Sequence, residues 1–127
     1  MKNKRTQEEV NFAPIPVNLL RACAKVKSSE LRETLQDILI ELSKQNKKIN
    51  GEWWWYDEGF YPLTGAADRL GKDSHTISRR LDRLVTKNIL TKSKRIKGYE
   101  GEDKKYFHST THIKLEPISK WKQPAGQ

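Results

Sequence analysis

The chain has 127 residues, with 25 Lys or Arg against 16 Asp or Glu for a net charge of +9, and a hydrophobic fraction of 35%. That length fills one core with tails rather than several domains, and the charge calls for a polyanionic partner. A single cysteine excludes an intramolecular disulfide framework, no apolar run reaches the ~20 residues of a membrane span, and MKNKR runs into TQEE rather than a signal-peptide core, so a cytoplasmic protein is expected.

Residues 1–11 are polar and charged and read as a flexible basic arm, either an ordinary disordered terminus or an arm that reaches along phosphates. The two prolines of NFAPIP force an extended path. In PVNLLRACAKV, Leu19, Cys23 and Val26 recur at helical spacing beside Leu20, which predicts a short helix with Pro16 near its start and Cys23 as a buried structural thiol. The next helix is capped by Ser28 or Ser29 and carries Glu30 and Glu33 in its first turn. Leu31, Leu35, Ile38, Leu39 and Leu42 form its buried stripe, and Lys44, Lys47 and Lys48 close it.

Asn50-Gly51 is a turn signal, followed by two aromatic runs in EWWWYDEGFYPL. Either run fits a short strand, and so does a hairpin of both. Side chains alternate across a strand, so Trp53, Trp54 and Trp55 cannot all face one way. The odd ring is covered by the N-terminal segment or by Trp121, or else it stays exposed for a protein contact or base stacking.

Thr64–Leu90 reads as two short helices around a glycine turn. Thr64 is an N-cap candidate, Ala66, Ala67 and Leu70 form an apolar face, and Gly71 stops the first helix. Asp73 caps the second, whose buried stripe is Ile77, Leu81, Leu84 and Val85. The opposite face carries His75, Arg79, Asp82 and Thr86, flanked by Thr76, Arg80 and Arg83. A helix that is apolar on one side and basic and hydrogen-bonding on the other, entered through a tight turn, predicts a helix-turn-helix reader. From Arg69 to Lys97, ten Lys or Arg stand against two Asp, so +8 of the +9 lies in and just after this pair.

TKSKRIK, the tip GYEGED and KKYFHSTTHIKL then predict a β-hairpin, with Gly98 and Gly101 in its turn. Phe107, Ser109, Thr111 and Ile113 are expected on one face and Tyr106, His108, Thr110 and His112 on the other. A basic hairpin directly after a reader helix is a wing. The fold class expected is therefore α+β: a winged helix-turn-helix, a three-helix bundle with a C-terminal hairpin, over residues 12–115. Residues 116–127 read as a tail or linker that Trp121 can anchor.

His108 and His112 have the H-x3-H spacing of a zinc half-site, but on a strand that spacing spreads them about 13 Å, too far to share an ion. No Walker, glycine-rich phosphate or nucleophile-elbow motif occurs, and the expectation is no metal, no cofactor and no enzyme. In a helix-turn-helix the first half of the second helix enters the major groove. Ser74, His75, Thr76, Ser78 and Arg79 are thus the candidates for base contact, Arg79 foremost as a bidentate guanine ligand. Lys72, Arg80, Arg83, Lys92, Lys94, Arg95 and Lys97 are the phosphate candidates. The acidic tip residues Glu100, Glu102 and Asp103 are repelled by phosphate. Trp53, Trp54 and Trp55 offer a further partner surface.

NFAPIPVNLL, WWWY, DSHTISRRLDRLVTKNIL and KKYFHST together resemble the winged-helix DNA-binding domains of phage and plasmid replication initiators of the replisome-organiser type. The pattern L-G-x-[DS]-x-x-T-[IV]-S-R-x-L-x-x-L is shared with winged-helix transcriptional regulators in general. The resemblance implies double-stranded DNA as partner, repeated origin sites as targets and replication proteins as further partners; a second copy of the chain is a further partner the sequence leaves open. A transcriptional repressor or activator and a protein-interaction winged helix are the alternative readings.

Overall fold

The computed structural model describes residues 14–100 and 105–122, with side-chain detail outside the stretch 96–108. The arm at residues 1–11 and the hairpin-tip residues Glu102 and Asp103 lie outside the described residues, as do the side chains of Lys97, Glu100 and His108. The fold is α+β. Helices α1 (Val17–Ala24) and α2 (Ser29–Ser43) precede the strands β1 (Lys47–Ile49), β2 (Glu52–Trp54) and β3 (Glu58–Phe60). Helices α3 (Leu63–Leu70) and α4 (Ser74–Thr86) follow, then the long strands β4 (Leu90–Glu100) and β5 (Lys105–Leu115). Strands β1 and β2 form a separate hairpin, and the second sheet has the order β3-β5-β4, antiparallel throughout.

The centre of the core is α2. Its Leu31, Leu35, Ile38, Leu39 and Leu42 are all essentially inaccessible, as their i, i+4, i+7, i+8, i+11 spacing predicts. Ser28 is the cap: its hydroxyl oxygen accepts the Leu31 N–H at 3.2 Å. Against this stripe pack Ile77, Leu81 and Leu84 of α4, Ala66 of α3, Tyr61, and Leu90, Ile113 and Leu115 of the sheet. Cys23 is buried on α1 beside Leu19. Its thiol donates to the Arg32 carbonyl at 3.7 Å, and burial raises its pKa to about 11, so it stays protonated and unreactive at neutral pH.

Several boundaries differ from the sequence expectation, each for a local reason. Lys47 and Lys48 do not close α2 but form β1. Asn50 and Gly51 both take the left-handed conformation, with φ of 52° and 82°, and so make the tight turn that pairs the residues on either side, KKI with EWW. The two aromatic runs therefore do not pair with each other: β3 goes to β5, with Phe60 opposite His112. Thr64 does not cap α3. Pro62 begins it, and the Ala66 N–H closes the first turn on the Pro62 carbonyl at 2.8 Å. Gly98 is not in the turn but inside β4, opposite Phe107. After Leu115 the chain stays on the domain as far as Lys122: the Lys122 N–H donates to the Lys87 carbonyl at 2.7 Å, and Trp121 is buried with its indole N–H on the Glu116 carbonyl at 2.8 Å.

Candidate nucleic-acid interface

Three residues, Gly71 to Asp73, join α3 to α4. Gly71 sits at φ 64°, ψ 34°, a conformation that costs a residue with a Cβ about 1–2 kcal/mol. It lets the Lys72 N–H return to the Ala67 carbonyl at 2.9 Å and end α3. The Asp73 carboxylate then accepts the Thr76 N–H at 2.7 Å. That bond, with Thr76 as its main cause, holds the Asp73 pKa below the usual value, so the cap is charged at neutral pH. At the far end Asn88 is also left-handed, at φ 59°, and turns the chain directly into β4.

This framing leaves Ser74, His75 and Arg79 exposed on the first half of α4, while Thr76 and Ser78 are half-buried at its edges. Arg79 lies one turn past His75 on the same outward face. Among the described residues Lys72, Arg79, Lys87, Lys94 and Arg95 form no ion pair. Arg83 is half-exposed and reaches Glu30 only at 3.8 Å, a surface contact worth little.

Arg80 is a correction to the expected phosphate contacts. It is 4% exposed, donates to Glu33 at 2.9 Å and Thr34 Oγ1 at 3.2 Å, and stands 3.6 Å from Glu30. It fastens α4 to α2 and cannot reach a ligand on the outer face. Its spacing carried the signal, because Arg80 is three residues after Ile77 and so sits on the buried stripe, while Glu30, Glu33 and Thr34 share one face of α2. Lys92 is likewise engaged, neutralising Asp82 of α4 at 2.5 Å.

A second arginine, outside the contacts expected from the sequence, holds α3. Arg69 grips Asp37 of α2 through Nε at 2.7 Å and Nη2 at 2.8 Å, and the Tyr61 hydroxyl donates to the same carboxylate at 2.9 Å. Arg69 lies back over Gly65, where a Cβ would stand 2.6 Å from its Nη1. Burial first, and the Asp37 charge second, push the Tyr61 pKa far up, so its proton stays in place to donate. Two arginines thus hold the two helices of the pair to α2, each by its own acidic partner.

Alternation divides the basic residues of the hairpin. Cross-strand partners share a face, so Lys92 (with Ile113) and Lys94 (with Thr111) lie on the side toward α4, and Arg95 (with Thr110) lies on the other. Lys97 pairs with His108 in the backbone register. On the Arg95 side, His112 meets Phe60 edge-on with ring centroids 6.2 Å apart. Burial, then the Arg95 charge, lower its pKa, so the ring is neutral at neutral pH. Of the tryptophans, Trp55 is half-buried against the core, whereas Trp53 and Trp54 are exposed.

No protein-family model, curated protein or solved structure matches this chain.

Proposed function

We propose that the protein binds double-stranded DNA sequence-specifically through a winged helix-turn-helix, with α3 and α4 as the helix pair and β4–β5 as the wing. The observation that carries this reading is the outward face of α4. It is entered through a left-handed glycine and a charged cap, and it presents Ser74, His75 and Arg79 to solvent while Ile77, Arg80, Leu81 and Leu84 on the opposite face are buried. The element order β3-α3-α4-β4-β5 with the sheet order β3-β5-β4 supports it, since it brings a basic hairpin immediately after that helix.

In this reading Arg79 reads a guanine, with Ser74 and His75 beside it and Thr76 and Ser78 at the groove wall. Lys72, Arg83 and Lys94 take phosphates, and Arg95 and Lys97 follow the backbone along the wing. The resemblance in the sequence makes repeated sites at a replication origin the target we favour over a promoter.

Selection of bound duplexes from a random pool, with the winning site then located in the source genome, tests both parts. Arg79→Ala is expected to lose about 1–3 kcal/mol of discrimination at one base pair, while Lys94→Ala weakens all sequences equally. No enriched site, or unchanged affinity in both variants, would sink the reading.

A further inference from the structure

The hairpin β1–β2 does something other than build the core. All six residues of its two strands are exposed, on both faces, and a two-stranded hairpin alone is marginal in water. It is nonetheless held in place from its base. The Asn46 amide donates to the Pro14 carbonyl at 2.9 Å and accepts the Tyr56 N–H at 3.0 Å, and Trp55 packs on the core. On this fixed support Trp53 and Trp54 remain 42% and 53% exposed.

The cross-strand register gives each indole a lysine. Lys48 lies opposite Trp53, with its ammonium 5.9 Å from the ring centroid, and Lys47 lies opposite Trp54. Adjacent positions on a strand point to opposite faces, so the hairpin carries one Trp–Lys pair on each side.

We propose that this hairpin is a binding element for single-stranded DNA, in which bases stack on Trp53 and Trp54 and the adjoining phosphates are met by Lys48 and Lys47. The pairing of one aromatic face with one cation matches a nucleotide, which supplies one base face and one phosphate. A single folded surface would meet only one of the two indoles, whereas a flexible strand can pass around the hairpin and use both. Duplex DNA does not fit, because its base faces are already stacked on each other.

The hairpin is also remote from the wing tip. It leads into β3 where Glu58 pairs with Lys114, nine positions along β5 from Lys105, or about 30 Å at the usual rise per residue. The choice of DNA over RNA rests on the function proposed for α4; the stacking site itself does not.

The test uses the full chain and a labelled oligo-dT of about ten nucleotides, followed by anisotropy at low salt. Saturable binding is expected, weakened about 5- to 100-fold by Trp53→Ala and by Trp54→Ala and largely restored in Trp54→Phe, with helical circular dichroism and melting unchanged. Arg79→Ala should leave oligo-dT binding intact, and the tryptophan variants should leave duplex binding intact. No binding of oligo-dT by the unaltered chain, equal binding by the alanine variants, or loss in Arg79→Ala alone would overturn the proposal. So would self-association that Trp54→Ala abolishes. Tighter binding of oligo-rU than of oligo-dT would overturn the assignment to DNA. Oligo-dT binding without any enriched duplex site would leave the hairpin standing and refute the function proposed for α4.

Discussion

Replacing Arg80 by alanine removes the donor that Glu33 and Thr34 share and empties a buried volume between α2 and α4. The glutamates are half-exposed and can return to water, so the loss is smaller than for a fully buried pair. We expect about 2 kcal/mol, read from the urea midpoint of the DNA-free protein. A phosphate ligand would behave in the opposite way, with stability unchanged and the salt dependence of binding flattened. Arg79, the residue just before it, is exposed and should show that opposite pattern in stability. The two neighbours thus divide a buried anchor from an exposed side chain within one peptide bond. Sequence inspection separates them only when the stripe is read at i+3 as well as i+4.

At the scale of elements, what was legible followed from strong local chemistry. The five aliphatic positions of α2, the Asp73 cap and the Gly71 stop are each fixed by a rule that acts within one turn of chain, and each stands in the structure as expected. Strand β1 was hidden because Lys47 and Lys48 satisfy two rules at once: they suit a helix C-terminus and they also suit an exposed strand. The Asn50-Gly51 turn decided between them. The Thr64 cap failed because Pro62, two residues earlier, already had a helix-compatible φ and no N–H to satisfy. Gly71→Ala tests the turn itself. No atom crowds the position, so the whole effect is the left-handed φ, and a loss of about 1 kcal/mol is expected in denaturant titration, with α4 still helical by circular dichroism.

At the scale of the whole molecule, the count of 25 Lys and Arg overstates the cations that a polyanion can meet. Arg69 and Arg80 are committed to α2, and Lys92 to Asp82. Of the phosphate candidates in the sequence, Lys72, Arg83, Lys94, Arg95 and Lys97 remain. If all of these engage, the logarithm of the duplex binding constant should fall with the logarithm of salt concentration with a slope of about −4 to −5, shallower than the full set would give. Titrations over a range of salt check this, and a slope well beyond −6 would mean that contacts lie elsewhere, for instance in the residue 1–11 arm. How the two helices of the pair are oriented was not legible at all, since it depends on which distant carboxylates Arg69 and Arg80 find.

Those two anchors have a consequence for how the protein can change. Because α3 and α4 are secured to α2 from behind, Ser74, His75 and Arg79 contribute almost nothing to folding and are at liberty to vary. A library randomised at these three positions should be composed largely of folded members, and new target preferences should be reachable by single substitutions without compensating ones. The frame holds the fold, and under the proposed function the outward face of α4 can change without disturbing it.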